Sequence, residues 1–251
     1  MTYTISSNTD QVPAISKNPG NSFVWYMLVS RLILFLLFQG LIALLAGSWE
    51  ISERYWLLSA TLTNFAGIIL LGKLFKKEGI RFINIFRFER SSVKKDLLIF
   101  LGLTLIAGPV VFLPGKLLAE FIWNDPGVPT AMMFGSIKPV IAYILLLVFP
   151  VTIALAELAT YFVYIMPRLK VLVKPIWLAL ALPVIFLSLQ HCTLPFIPDI
   201  NFLVYRALVF FPFATLIGVS LWFRPTLFPY FAILHGIMDF ATALMFLIDF
   251  S

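Results

Sequence analysis

Seven stretches of the chain are almost continuously apolar: roughly 23–46, 55–74, 97–121, 139–166, 176–194, 202–223 and 226–248. Charged or turn-forming residues bound each of them. A helix that crosses a bilayer needs about twenty predominantly apolar residues. The pattern therefore predicts an all-α fold, a polytopic transmembrane helix bundle of about seven spans. Pro150 in the fourth run predicts a tilt or kink. The fifth run contains Pro183 and ends near Pro195, so its length is the least defined. Residues 1–22 are polar, contain Pro and Gly, and lack the apolar residues needed for a core, so this tail is expected to be disordered. Residues 23–251 read as one transmembrane domain. The first run, Phe23 to Ala46, is too long for a cleavable signal and has no small-residue cleavage site, which predicts a retained signal anchor.

Composition agrees with that picture. The chain is 61% hydrophobic and 12% charged, with a mean hydropathy of +0.99, whereas soluble domains are about 45–50% apolar and about 25% charged. The net charge of +6 does not point to nucleic acid, because the bases sit in loops between apolar runs, where they anchor in anionic headgroups. One set of loops holds Lys17, Lys73, Lys76, Lys77, Arg81, Arg87, Arg90, Lys94, Lys95, Arg168, Lys170, Lys174 and Arg224. The other holds only Arg54, Lys116 and Lys138. By the positive-inside rule the N-terminus is cytoplasmic and the C-terminus outside. The basic loop 73–96 interleaves Ile and Phe and reads either as an amphipathic helix on anionic lipid or as a solvated loop that fixes topology. Arg31 and Arg206 fall inside apolar runs, within snorkelling distance of an interface. Cys192 is the single cysteine, which excludes an intrachain disulfide and a thiolate metal cluster.

Ionisable groups in hydrocarbon are costly, and a functional role is their default reading. Glu157 is the only acid between Asp125 and Asp199, and both histidines, His191 and His235, lie in or at the end of apolar runs. Asp239 follows His235 by one helical turn and shares its face. These residues belong to the fourth, fifth and seventh runs, and together they contain the groups of a hydrolytic site. A glutamate can act as general base for water, and a histidine can orient that water or stabilise an oxyanion. Counting from Arg168 and Arg224 at 1.5 Å per residue, Glu157 and His235 lie about 16 Å deep and Asp239 about 22 Å. His191, counted from Lys174, lies about 25 Å deep, so the fifth helix must tilt or start late to bring it level.

These segments resemble the CAAX protease and bacteriocin-processing family of intramembrane proteases. Its members carry E-E-x-x-x-R, often followed by P-R-L, then F-x-x-x-H, then H-x-x-x-[DN], on separate helices. Here Pro167, Arg168 and Leu169 set the register and place Glu157 at the first Glu. His191 falls at the second motif, with Leu187 at the Phe position and Phe186 one residue early; His235 to Asp239 fits the third. The likeness covers about residues 139–245. It implies that Glu157 with His191 activates water, that His235 with Asp239 binds the oxyanion, and that the catalytic set is Glu157, His191, His235 and Asp239. Leu158 stands where the second Glu belongs and Phe162 where the Arg belongs. What those two residues supply, orientation of the first Glu and helix pairing, is missing from the motif.

The expected activity is therefore a glutamate-type intramembrane endopeptidase, acting on a peptide or membrane-protein substrate in a bacterial-type plasma membrane. The alternative is a non-catalytic scaffold or immunity-type member of the same family, and a weaker alternative is a transporter with a midplane proton-linked site. Zinc, held by Glu157, His191 and His235, is chemically acceptable, but the resemblance implies a metal-independent mechanism and no cofactor. The topology is tested by single-cysteine labelling in a Cys192→Ser background: a cysteine near Lys94 is expected to react only from the cytoplasm and one near Asp249 only from outside. The reverse pattern overturns the assignment.

Overall fold

Every long apolar run is helical in this computed structural model, which describes residues 21–247. No strand occurs among the described residues. The polar tail lies outside them, except that Asn21 and Ser22 already belong to the first helix. In chain order the helices are α1 (Asn21–Ala46), α2 (Trp49–Arg54), α3 (Trp56–Lys77), α4 (Val93–Trp123), α5 (Val128–Met133) and α6 (Pro139–Leu158). They continue with α7 (Met166–Leu172), α8 (Leu178–Leu189), α9 (Ile200–Val209), α10 (Phe211–Phe223) and α11 (Phe228–Leu244). Prolines stand in the first turn of α5, α6, α7, α10 and α11, where no amide hydrogen is needed. Asn124 ends α4 in the left-handed conformation. Asp199 caps α9 by accepting from the Phe202 amide at 2.8 Å.

Among the described residues six segments are long and apolar enough to span a bilayer: Phe23–Ala46, Trp56–Lys77, Val93–Trp123, Pro139–Leu172, Ile200–Phe223 and Pro225–Leu247. The seventh expected run is shorter, Leu178–Thr193, and begins after the Lys174 anchor. Contacts at its two ends nevertheless run it from one end of the bundle to the other. At one end Arg168 pairs with Glu78, Arg224 pairs with Asp96, and Lys170 lies 3.8 Å from the Trp222 ring centroid. At the other, Trp56 donates to Met133 O at 2.9 Å, and Gln39 and Trp49 donate to Phe196 O at 3.0 and 3.2 Å. The short helix starts beside α7 at the first end and delivers Phe196 to the second.

At 1.5 Å per residue a helix of that length reaches only about 24 Å of a hydrocarbon core about 30 Å thick. Non-helical backbone at membrane depth persists only where protein satisfies it. Arg206 does this, donating from Nε to His191 O at 3.1 Å and from Nη2 to Leu194 O at 2.6 Å. Gln39 completes the set by accepting from the Phe196 amide at 2.8 Å. Arg206 is 4% exposed and does not snorkel, contrary to expectation. Five hydrogen bonds to backbone hold its neighbourhood, and an interface would offer no comparable geometry.

The 73–96 loop departs from the amphipathic-helix expectation, while its Lys and Arg residues are exposed, as in a solvated loop. It forms no amphipathic helix; Phe82–Phe86 is a short 3-10 turn, and Ile80, Phe82, Ile85 and Phe86 pack against the core. Phe86 meets Phe228 with ring centroids 5.2 Å apart. The loop closes the basic end of the bundle and is held by the Glu78–Arg168 and Asp96–Arg224 pairs.

α6 packs on α3 on one side and α11 on the other, and these three helices form the centre. Their crossing is close: a Cβ on Gly236 would sit 3.1 Å from both Pro150 O and Ala154 Cβ. α4, whose most hydrophobic window is 6% buried, lies at the periphery. Two apolar clusters fill the interior, one towards each end. Leu28 and Phe35 on α1, Leu71 and Ala60 on α3, Leu158 and Ile153 on α6, and Leu187 and Leu194 around α8 belong to opposite clusters. Between the members of these pairs lie, respectively, the buried polar residues Arg31, Asn64, Glu157 and Gln190, with other polar residues beside three of them. The polar groups therefore form a layer across the bundle.

The ion pair between Arg168 and Glu78 is largely buried, with side chains 1% and 12% exposed. Removing one member of a buried pair costs about 3–5 kcal/mol, and the partial exposure of Glu78 places the expected loss for Glu78→Gln near the bottom of that range. Thermal unfolding in detergent measures it; an unchanged midpoint overturns the claim that this pair closes the loop.

Candidate functional site

The polar layer is built around Glu157, in the last turn of α6 and 2% exposed. Directly after it the helix widens into a π-helical segment, Ala159–Ile165, before continuing as α7. Such segments recur at functional sites because the extra residue per turn re-aims the side chains that follow. Thr160 accommodates the widening by donating to Ala156 O at 2.7 Å. Tyr161, fully buried in the same segment, directs its hydroxyl to Gln190 Oε1 at 3.4 Å.

Arg31 from α1 reaches into this layer and is 1% exposed. Its Nε donates to Gln190 Oε1 at 2.7 Å, and its Nη2 donates to Asn64 Oδ1 at 2.9 Å and to Glu157 Oε2 at 3.3 Å. Asn64 in turn donates to Thr152 Oγ1 at 3.3 Å. Arg31 thus ties α1, α3, α6 and the end of α8 together. The expectation that it snorkels to an interface is overturned: an internal carboxylate and two internal amides replace the headgroups.

On the other side of Glu157 stands His235 of α11. Its Nε2 lies 2.9 Å from Glu157 Oε1 and 3.4 Å from Asp239 Oδ2. The ring is not aligned for a hydrogen bond with either oxygen, and both of its nitrogens, with Asp239 Oδ2, are buried without a bonded protein partner. Arg31 Nη1 and Gln190 Nε2 are likewise buried and unpartnered. Three of the four candidate catalytic residues, Glu157, His235 and Asp239, therefore form one chain of contacts, with Arg31 at its far end.

His191 occupies a different position. It sits in the 3-10 turn Gln190–Thr193 that ends α8, and the preceding residue, Gln190, is the one that faces Arg31. The His191 ring stacks on Phe210 with centroids 3.6 Å apart, and Nδ1 donates to Leu187 O at 2.9 Å. That bond fixes the tautomer and leaves the lone pair of the neutral ring on Nε2. No hydrogen bond or ion pair among the described residues joins His191 to Glu157. The zinc set Glu157, His191 and His235 is not assembled either: among the described residues no three His, Cys, Asp or Glu side chains are grouped to hold a metal.

Leu158 and Phe162, at the positions of the motif's second Glu and Arg, are buried in the apolar cluster towards the basic end. Phe162 packs towards α10, where its Cε1 would lie 3.0 Å from a Cβ on Gly218. An apolar groove of about 450 Å³ runs between α6 and α11 along Pro150, Ala154, Gly236 and Phe240. None of the four candidate residues lines it, although Gly236 and Phe240 directly follow His235 and Asp239.

Arg31, Asn64 and Gln190 are the members of this cluster that the motif reading passed over. Their signal was present, since each is a polar residue inside an apolar run. Compared with protein-family models, with curated proteins and with solved structures, the chain matches none.

The Arg31–Glu157 pair generates a stability test. Arg31→Leu leaves a buried carboxylate without its cation and is expected to cost about 3–5 kcal/mol. Adding Glu157→Leu to that variant should restore much of the loss, because replacing a whole buried pair with apolar residues is often near neutral. A double-mutant cycle on thermal unfolding in detergent reads the coupling. Additive losses would show that the two side chains stabilise the bundle independently.

Proposed function

We propose that the chain is an intramembrane endopeptidase of the glutamate type, set in the membrane with its N-terminus cytoplasmic. The observation that carries this reading is the Glu157–His235 contact, a carboxylate and an imidazole 2.9 Å apart at the centre of an apolar bundle, with Asp239 against the same imidazole nitrogen. The motif likeness around Glu157, His191 and His235 to Asp239 supports it, and so does the π-helical segment that follows Glu157. In this scheme the oxygen of water attacks the scissile carbonyl carbon and Glu157 takes the proton. Collapse of the tetrahedral intermediate breaks the C–N bond, and the same proton passes to the departing amine. His235 Nδ1, buried without a protein partner, is the donor for the oxyanion, and Asp239 orients the ring. The groove between α6 and α11 gives an extended substrate segment a lipid-side approach beside His235 and Asp239.

A second reading, a non-catalytic membrane scaffold, is favoured by one observation. Arg31 occupies Glu157 Oε2 and His235 lies against Oε1, so neither carboxylate oxygen is free of a protein neighbour. Cleavage assays on a panel of membrane-anchored peptides, prenylated tails included, separate the two. Glu157→Gln is expected to lower turnover by about 10²–10⁴-fold, the range of a general acid–base group, while the variant still accumulates in the membrane. Cleavage that survives the substitution discards the glutamate mechanism, and a parent protein inert on the whole panel favours the scaffold.

A further inference from the structure

The end of the bundle that carries most of the basic residues holds a second groove, of about 480 Å³, between the start of α1 and the last turns of α3. Its apolar floor is Phe23, Leu70 and Leu74, and its rim is Lys73, Lys76 and Lys77. The three lysines are exposed and stand at i, i+3 and i+4, on one helical face. Like charges at that spacing repel and destabilise a helix. Lysines in a last turn do offset the helix dipole, but that accounts for no shared groove beneath them. Lys77 Nζ lies 5.4 Å from the Phe23 ring centroid, which places its charge over the apolar floor.

Among the described residues no acid relieves this repulsion. Glu78, the adjacent carboxylate, is committed to Arg168, and among the described residues no lysine makes an ion pair. The groove opens where two spans end, at the depth of lipid headgroups. A ligand that fits must join a negative group to an apolar chain and approach along the bilayer surface. We propose that this groove is a binding site for an anionic phospholipid, with the phosphate among Lys73, Lys76 and Lys77 and an acyl chain along Phe23, Leu70 and Leu74. The site is independent of the proposed peptidase activity.

The test uses the full-length protein in a neutral detergent, with thermal unfolding followed as phosphatidylglycerol is titrated in and phosphatidylcholine as the neutral comparison. The parent is expected to be stabilised by phosphatidylglycerol alone. The triple variant Lys73→Gln/Lys76→Gln/Lys77→Gln should need at least about tenfold more phosphatidylglycerol for half the effect, since each lysine near an anionic surface contributes about fivefold in affinity. A control, Lys94→Gln/Lys95→Gln, removes charge from the same end outside the groove and should respond like the parent. Three results overturn the proposal. One is a triple variant that responds like the parent, and another is a control that loses as much, which would mean diffuse surface attraction. The third is equal stabilisation of the parent by inorganic phosphate, which would identify a free anion as the ligand.

Discussion

A guanidinium in a bilayer has no water to solvate it, and the centre of this bundle is organised by how Arg31 is satisfied instead. Its bonds to Gln190, Asn64 and Glu157 involve four separate stretches of chain, α1, α3, α6 and the end of α8. Glu157 also touches His235, but Arg31 is the cation that all three groups share. The apolar clusters above and below supply packing but little direction, because aliphatic side chains in lipid are nearly as well off outside the bundle as in it. Direction comes from the polar layer. A helix rotated or shifted by one turn would keep much of its apolar contact and lose its bond to that layer.

The same reasoning explains how much of the molecule was legible in its sequence. Spans are written as apolar length, and six of the seven expected runs are full-length helices. Basic anchors such as Arg168 and Arg224 were visible as charges, but their partners Glu78 and Asp96 lie 90 and 128 residues away, and nothing local names them. Arg31 and Arg206 were read one helix at a time, and on an isolated helix snorkelling is the least costly fate. Only the assembled bundle offers them Glu157 on one side and the open carbonyls of His191 and Leu194 on the other.

The candidate site divides in the same way. His235 and Asp239 share a helix face, so their proximity follows from spacing alone. The contact between His235 and Glu157 depends on α6 crossing α11 closely, which Gly236 permits and which no periodicity records. In the 3-10 turn at the end of α8 it is Gln190 that faces Arg31, while His191 bonds back to Leu187 O. Leu158 and Phe162 leave Glu157 without motif partners on its own helix, and a guanidinium from α1 stands in contact with it instead.

The separation of Arg31 from Glu157 is 126 residues along the chain. A ribosome makes α1 first, so Arg31 is synthesised well before the carboxylate it meets in the finished bundle. During that interval snorkelling is the state open to it, with the side chain drawn towards headgroups and α1 displaced along its axis. A chain stopped before residue 157 would lack the carboxylate that meets Arg31 in the finished bundle.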